Sequence, residues 1–360
     1  MLTLDRRYFI SPDVFSEETE KVFRERWLYI GRAFQAAVDG DYFTAKIEDE
    51  SLIALRGDDS ELRVFYNHCR HRGTLLATES SGHCGRHLTC PYHAWSYGRN
   101  GRLVGAPHME ETPGFNKANY PLKEPAQGIW DGGVFINFSD TPEPFEQAFA
   151  PVLEKFAPWH VGELQPTHRE EYDVAANWKL ICQNYSECYH CPIIHPALEK
   201  LSHYRDTEND LEKGAILGGP MRIGAEGGGL SRGGQRSAPP LPDLSGDELQ
   251  RAYYYVFFPT FFISLQPDFV LTHHLQRVAP DHTRITCEWL YHPDAIAMTD
   301  FDPQPTVDLW DEINRQDWAV SELTQKGLAS RAHTPGPYSS LESMPAAFDR
   351  EYLKAMNVTE

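Results

Sequence analysis

Apolar positions change their period several times along the chain. Between Glu17 and Ile30, the side chains of Val22, Phe23, Trp27 and Ile30, with the stem of Arg26, recur at helical spacing behind a Ser16 cap and predict a leading helix. From Asp41 the pattern turns to short alternating runs at 51–56 and 61–66, joined by Gly57-Asp58-Asp59-Ser60, and then at 87–90, 94–97 and 134–138. Asn100-Gly101 marks a tight hairpin turn among them. A small β domain is predicted, closing near Asp140. The proline-bearing stretch 142–159 connects it to a second domain. There a helix is predicted from Trp178 onward, with Leu180, Asn184, Glu187 and Cys191 along one stripe. Residues 214–246, rich in Gly, Ser and Pro, read as a long loop of the kind that serves as a lid or functional segment. A β-rich aromatic run follows, with Tyr253, Tyr254, Tyr255, Phe257, Phe258, Phe261 and Phe262 close together. These are core by default, although alternate ones on a strand face can line a pocket. The last clear element is a helix over 306–327, opening after Pro305, in which Trp310, Ile313, Val320 and Thr324 share a face.

Composition narrows the function. With 360 residues, 41% hydrophobic and 12% aromatic, the chain supports two domains or one large one with a sizeable core. Its longest apolar runs, such as 253–258, are far too short for a membrane span. Residues 1–10 carry charges where a signal peptide would place its apolar core, so a cytoplasmic location is expected. Against 33 basic residues stand 52 acidic ones, a net charge of −19. That balance argues against nucleic acid or anionic membrane as partners and suits a basic redox partner. Seven cysteines without a secretory signal point to thiols kept for metal or burial rather than to a disulfide framework.

Two constellations carry candidate chemistry. Cys69-Arg70-His71 is followed, after a gap of eighteen residues, by Cys90-Pro91-Tyr92-His93, so that each of two turns offers one thiolate and one imidazole. A [2Fe–2S] cluster with two Cys on one iron and two His on the other needs that pairing, and its neutral imidazoles raise the potential above that of an all-Cys cluster. Tetrahedral zinc could use the same four side chains, but zinc fingers place two Cys before two His instead of alternating them. His83, Cys84 and His87 offer an alternative ligand between the two turns and read as loop residues.

The second constellation is Asn184-Tyr185-Ser186-Glu187-Cys188-Tyr189-His190-Cys191-Pro192-Ile193-Ile194-His195. Glu187 and His190, three apart, would share a helix face, and Pro192 turns the chain so that His195 returns on a loop. Two imidazoles are thereby offered to one metal. Two histidines and one carboxylate, with positions left open, form the set with which non-haem Fe(II) activates O₂. Cys188 and Cys191 make a Cys-x-x-Cys that could instead bind zinc or do redox chemistry. The carboxylate is sought in the late helix, where Asp317 lies in the apolar stripe between Ile313 and Val320. A charge there is costly unless it is paired or binds metal. A buried salt bridge to Lys179 or Arg315 is the other reading.

These motifs resemble those of the Rieske non-haem iron oxygenases, specifically their catalytic α subunits. The likeness rests on Asn67-His68-Cys69-Arg70-His71-Arg72-Gly73, on Cys90-Pro91-Tyr92-His93-Ala94-Trp95, on the Asn184 to His195 stretch with Asn177-Trp178-Lys179-Leu180 before it, and on Gln316-Asp317-Trp318. It covers nearly the whole chain. Three departures stand out: the gap between His71 and Cys90 is about a residue longer than is usual, Ala94 stands where Gly is common, and Glu187 where most members carry Asp. Respiratory Rieske proteins are a poorer match, because the extra cysteine pair that flanks their cluster is missing.

The resemblance implies an α+β fold: a Rieske [2Fe–2S] β domain over 41–141 and a catalytic domain over 142–360 with an antiparallel sheet covered by helices, on which a helical segment, 1–40, packs. It implies a cluster held by Cys69, His71, Cys90 and His93, and a mononuclear non-haem Fe(II) held by His190, His195 and Asp317. Glu187 would be a relay linking a cluster histidine of one subunit to an iron histidine of its neighbour, in a head-to-tail homotrimer. The reaction would be an O₂-dependent oxidation of a small organic substrate. No nicotinamide or flavin fingerprint is present, so a separate NAD(P)H-dependent reductase, with or without a ferredoxin, would supply electrons. Glutamate at position 187 resembles the branch that N-demethylates small quaternary or N-methylated amines such as betaines; hydroxylation of an aromatic ring is the alternative. A pure electron-transfer protein would leave the second constellation unused, and a zinc-binding structural protein would be colourless.

Overall fold

In the computed structural model, which describes residues 1–358, ten strands lie within Trp27–Phe145, one of the two compact units into which the chain divides. They are β1 Leu28–Arg32, β2 Asp41–Ile47, β3 Glu50–Arg56, β4 Leu62–Tyr66, β5 Ser81–His83, β6 His87–Thr89, β7 Ser96–Gly98, β8 Leu103–Gly105, β9 Ala126–Trp130 and β10 Gly133–Asn137. Three antiparallel sheets result, in the orders β4-β3-β2-β5, β6-β7-β8 and β1-β10-β9. The expected hairpin falls at Asn100-Gly101, where Gly101 takes φ +76° and Gly98 N donates to Arg102 O at 2.9 Å. The run expected at 94–97 starts two residues later. Ala94 holds a left-handed φ of +56° in the turn that follows Cys90, a conformation that favours glycine. Ile53, Leu55, Phe65, Trp95 and Tyr97 form the core of this unit together with Cys69 and Cys90.

The leading helix is displaced from its expected place. Helices α1, Arg7–Ile10, and α2, Pro12–Glu18, come first, and Ser11 rather than Ser16 caps α2, its hydroxyl accepting from Val14 N at 3.4 Å. A short π-helical turn, Thr19–Phe23, follows, and the chain is extended by Leu28. All five residues of β1 are buried, so the strand shows no alternation and its apolar spacing passes for a helix. Because β1 pairs with β10, the first boundary lies between Arg26 and Trp27 and not near residue 40, and the second lies at Phe145.

The second unit comprises Met1–Arg26 and Glu146–Glu360. Its sheet has six antiparallel strands, β11 Gln165–Val174, β12 Ile216–Arg222, β13 Arg251–Phe257, β14 Phe261–Leu265, β15 Val270–Ala279 and β16 His282–Tyr291, in the order β11-β16-β15-β14-β13-β12. Strands β12 to β16 meander. Strand β11 sits at the opposite edge from β12, so a long excursion joins them. That excursion carries α4 Trp178–Tyr185, α5 Cys191–Ile194 and α6 Pro196–Glu199. The late helices are α7 Pro293–Ile296, α8 Gln304–Leu328 and α9 Ser343–Ala355, while α3, Phe145–Leu153, leads into the unit. Helix α4 packs against α8, α9 and β15.

Part of the expected 214–246 loop is strand β12. A Cβ on Gly218, at φ +148°, would lie 2.0 Å from Tyr254 O, so only glycine lets β12 approach β13 there. Beneath α4, Lys179 is fully buried and pairs with Glu18, which also accepts from Trp178 Nε1 at 3.0 Å, Tyr352 Oη at 2.7 Å and Arg277 Nη1 at 3.2 Å. This network ties the first eighteen residues to the catalytic sheet.

Candidate metal centres

The turn after β4 and the turn after β6 are built alike. Cys69 O accepts from Gly73 N at 2.9 Å, and Cys90 O accepts from Ala94 N at 3.1 Å. Both thiols are buried, at 2% and 3% exposure, while His71 and His93 face outward with ring centroids 4.8 Å apart. Trp95 stacks on His71 at 4.8 Å and Tyr92 on His93 at 3.7 Å. Tyr97 Oη lies 3.3 Å from Cys69 Sγ and accepts from Arg70 N at 2.9 Å. Burial raises the pKa of Cys69, so a metal must displace its proton. His71 is shifted down, by burial first and then by His93 and Arg72, which keeps its imidazole neutral and ready to ligate. Two buried sulfurs behind two exposed imidazoles fit a cluster whose outer iron is the histidine-bound one. Two of the alternative residues are engaged elsewhere: His83 Nδ1 is 2.9 Å from Asp41 Oδ1, and Cys84 is buried beside Arg99, while His87 is exposed on β6.

In the other unit, Asn177 caps α4 by accepting from Lys179 N at 3.1 Å, and the helix stops at Tyr185. Glu187 and His190 therefore lie in a turn and not on one helix face. The Glu187 carboxylate itself folds that turn: Oε2 accepts from the backbone N–H of Tyr189 and, at 3.3 Å, of His190, and Oε1 is 2.6 Å from His190 Nδ1. Cys191 and Pro192 then open α5, and His195 stands at its C-terminal end.

The structure brings His190, His195 and Asp317 together. His190 Nε2 to His195 Nε2 is 3.2 Å, His190 Nε2 to Asp317 Oδ1 is 3.2 Å and His195 Nε2 to Asp317 Oδ1 is 2.8 Å. Donors on one face of an octahedron with bonds of about 2.1 Å are about 3.0 Å apart, so the three edges suit one metal with its opposite face open. Burial opposes the charge of Asp317, but hydrogen bonds from the two histidines outweigh it and hold the carboxyl at about 2. Burial likewise opposes a charge on His190, and Asp317 and Glu187 together reverse that, raising it to about 10. A concentration of negative potential at the imidazoles is what a divalent cation would occupy. The salt-bridge reading of Asp317 gives way, because Lys179 is held by Glu18, and Arg315 by Asp311 at 2.9 Å and Glu170 at 3.2 Å.

Three details depart from expectation. The buried stripe of α8 runs through Ile313, Asn314, Trp318, Ser321 and Gln325, with Thr324 exposed, so Asp317 sits at the stripe's edge. Cys188 and Cys191 are joined as a disulfide, the turn between them bringing their Cα atoms to 4.9 Å. Gln316, beside Asp317, places Oε1 2.7 Å from His195 Nδ1. Sequence reasoning gave Gln316 no role, since a glutamine on a polar helix edge carries no signal until its partner is known.

A cavity of about 100 Å³ adjoins the three side chains. Tyr254 and Val256 of β13 line it, as alternation on a strand requires, while Tyr255 points away and bonds Asp210 at 2.9 Å. Trp310 of α8, expected only as core, lines it too, 6.1 Å from Tyr254 between ring centroids. Its Nε1 is engaged with Leu230 O at 3.1 Å. Glu187 and Asp317 also border the cavity, and among its described lining residues none is Lys or Arg.

Residues 26–120 match the model of the Rieske [2Fe-2S] domain, and residues 161–357 match that of the ring hydroxylating alpha subunit (catalytic domain). The chain belongs to this family of Rieske non-haem iron oxygenases, with a Rieske cluster in one unit and a mononuclear non-haem iron in the other. Among relatives, it is 28% identical over 372 residues to the glycine betaine monooxygenase oxygenase subunit of Chromohalobacter salexigens, covering 94% of this chain and 82% of that one. Its fold matches the quaternary ammonium Rieske monooxygenase CntA solved with gamma-butyrobetaine, at a TM-score of 0.80 and 23% identity over 99% of this chain and 96% of that one. Naphthalene 1,2-dioxygenase from Rhodococcus sp. matches equally well, at a TM-score of 0.81 and 18% identity over 98% and 94%. The fold is thus common to enzymes of different substrates. Among the described residues no helix is long and apolar enough to cross a membrane.

Proposed function

We propose that this oxygenase N-demethylates a small quaternary or N-methylated amine of betaine type. The observation that carries the reading is the cavity wall: the rings of Tyr254 and Trp310 with the carboxylates Glu187 and Asp317, and no Lys or Arg among the described lining residues. Each ring can hold a methylammonium group by cation–π attraction of roughly 0.5–2 kcal/mol. Thr207 and Asn209, also in the lining, carry a hydroxyl and an amide that can donate to the polar end of such a molecule. The glycine betaine relative supports the same substrate class.

On this reading His190, His195 and Asp317 hold the iron, which when bound supplies the activation of O₂. Cys69, His71, Cys90 and His93 hold the cluster. Glu187 and Gln316 keep the two imidazoles turned so that each Nε2 lone pair faces the metal. The rings of Tyr254 and Trp310 fix the ammonium so that one methyl group faces the open side of the triad. One oxygen atom enters a methyl C–H bond; the other leaves as water, with two electrons and two protons consumed. The hydroxymethyl product releases formaldehyde and the demethylated amine. Electrons come from a separate NAD(P)H-dependent reductase, directly or through a ferredoxin, in the cytoplasm. Glu187 relays them from a neighbouring subunit's cluster in a head-to-tail homotrimer. The test is a panel of N-methylated amines and simple arenes with a generic reductase. Formaldehyde from an amine supports the proposal; hydroxylated arene without formaldehyde from any amine replaces it with ring hydroxylation.

A further inference from the structure

The Cys188–Cys191 disulfide closes over the turn that carries His190, and both cysteines line the cavity. Cys191 Sγ is 4.0 Å from His190 Nε2, the nitrogen that faces His195 and Asp317. The Cys191 sulfur and one ring nitrogen from each of the two histidines all lie within 4.8 Å of one another. Around tetrahedral zinc, two nitrogen donors are about 3.3 Å apart and a nitrogen and a sulfur about 3.6 Å. The histidine pair, at 3.2 Å, already meets that spacing. The sulfur would have to close by about 0.4 Å on His190 and by no more than about 1.2 Å on His195, a shift within reach of a turn no longer tied by the S–S bond.

We propose that this centre has a second metal-binding state, a His190–His195–Cys191 site for a thiophilic divalent cation, opened by reduction of the disulfide. The inference rests on His190 and His195 being the histidine donors of the iron centre. With the disulfide closed, each sulfur is bonded to the other and the cation meets only the two histidines and Asp317, a set that suits iron and leaves a face open. A dithiol reductant attacks the more accessible sulfur, Cys188, and Cys191 leaves as the thiolate. The second thiol of the reductant then displaces Cys188, so that one disulfide is exchanged for another and two electrons pass to the cysteine pair. Cys191 thereby becomes free beside two imidazoles, and soft thiolate favours zinc-like cations over the oxygen-activating arrangement. The disulfide is in this sense a guard on which metal the centre accepts.

The experiment uses the full-length protein with its cluster in place and the mononuclear site emptied by a chelator. Cobalt(II) is titrated before and after treatment with a dithiol, and difference spectra cancel the cluster's own absorption. Loss of even an outer-shell partner costs roughly 10–100-fold in metal affinity, so gaining a direct thiolate should tighten cobalt binding at least about tenfold. A thiolate-to-cobalt charge-transfer band is expected in reduced protein and in Cys188→Ser without reductant, and not in oxidised protein or Cys191→Ser. Absence of the band from both reduced wild type and Cys188→Ser, or its persistence in Cys191→Ser, overturns the proposal. His195→Ala separates the two readings: if it binds cobalt as the parent does in the oxidised form, the histidine assignment fails, whatever the cysteines do.

Discussion

Replacing Gln316 by Met removes one acceptor and little else. The side chains have similar volume and helix preference, so α8 should stand. What is lost is the carbonyl 2.7 Å from Nδ1 of His195, a residue only 2% exposed, together with the Gln316 to Glu312 hydrogen bond of 3.1 Å one turn away. The latter contributes about 0.2–0.5 kcal/mol to the helix. The former fixes the angle of the imidazole and takes up the Nδ1 proton, which leaves Nε2, 2.8 Å from Asp317 Oδ1, as the nitrogen that a metal would use. Loss of such a partner typically weakens metal binding by roughly 10–100-fold, or about 1.4–2.7 kcal/mol. Anaerobic competition for Fe(II) against a chromophoric chelator measures this directly. The cluster spectrum serves as internal reference, since the four residues proposed to hold the cluster belong to the other unit. Turnover should fall in proportion to iron lost and recover with excess Fe(II). A dissociation constant within about threefold of the parent would refute the argument that Gln316 positions His195.

Four further outcomes are expected. Asp317→Ala should keep the brown cluster spectrum while losing the mononuclear iron and turnover; full activity with three irons per chain would contradict it. In Glu187→Gln the one amide oxygen can keep the place of Oε1 beside His190 Nδ1 at the expense of the turn's N–H bonds, so iron content should hold while rapid-mixing measurements show cluster reoxidation collapsing; a fully active monomeric parent would rule out the relay. Glu18→Gln leaves Lys179 and Arg277 buried without their carboxylate, which should cost about 3–5 kcal/mol and lower the melting temperature by about 10 °C. Burial pushes Asp268 up to about 6, above its unfolded value of 3.8, so its contribution to stability is complete below pH 3.8 and is lost as pH rises through about 6. Asp268→Asn, neutral at every pH, should therefore gain up to about 3 kcal/mol over the parent at pH 8 and nothing near pH 4, as thermal denaturation at both pH values would reveal.

Local chemistry was legible wherever the ligands sit close in sequence. Cys69 with His71, and Cys90 with His93, point to a cluster because each turn supplies its own pair, and the Glu187 to His195 stretch is likewise self-contained. Strands β3, β4 and β10 and helix α8 followed from period and turn residues for the same reason: hydrogen bonding and burial there repeat over a few residues. Strand β1 did not, because burial on all sides erases alternation and only its pairing with β10 decides against a helix. Strand β12 was hidden by glycines whose purpose is an approach to Tyr254 that no local pattern records. The same holds at the iron centre. Asp317 could be suspected from the cost of a charge near an apolar stripe, but its 2.8 Å approach to His195, over a hundred residues away, exists only because α8 packs beside α4 and α6. Gln316 and Trp310 acquire their roles through that packing alone, since what a side chain on a long helix touches depends on which element the fold sets against it.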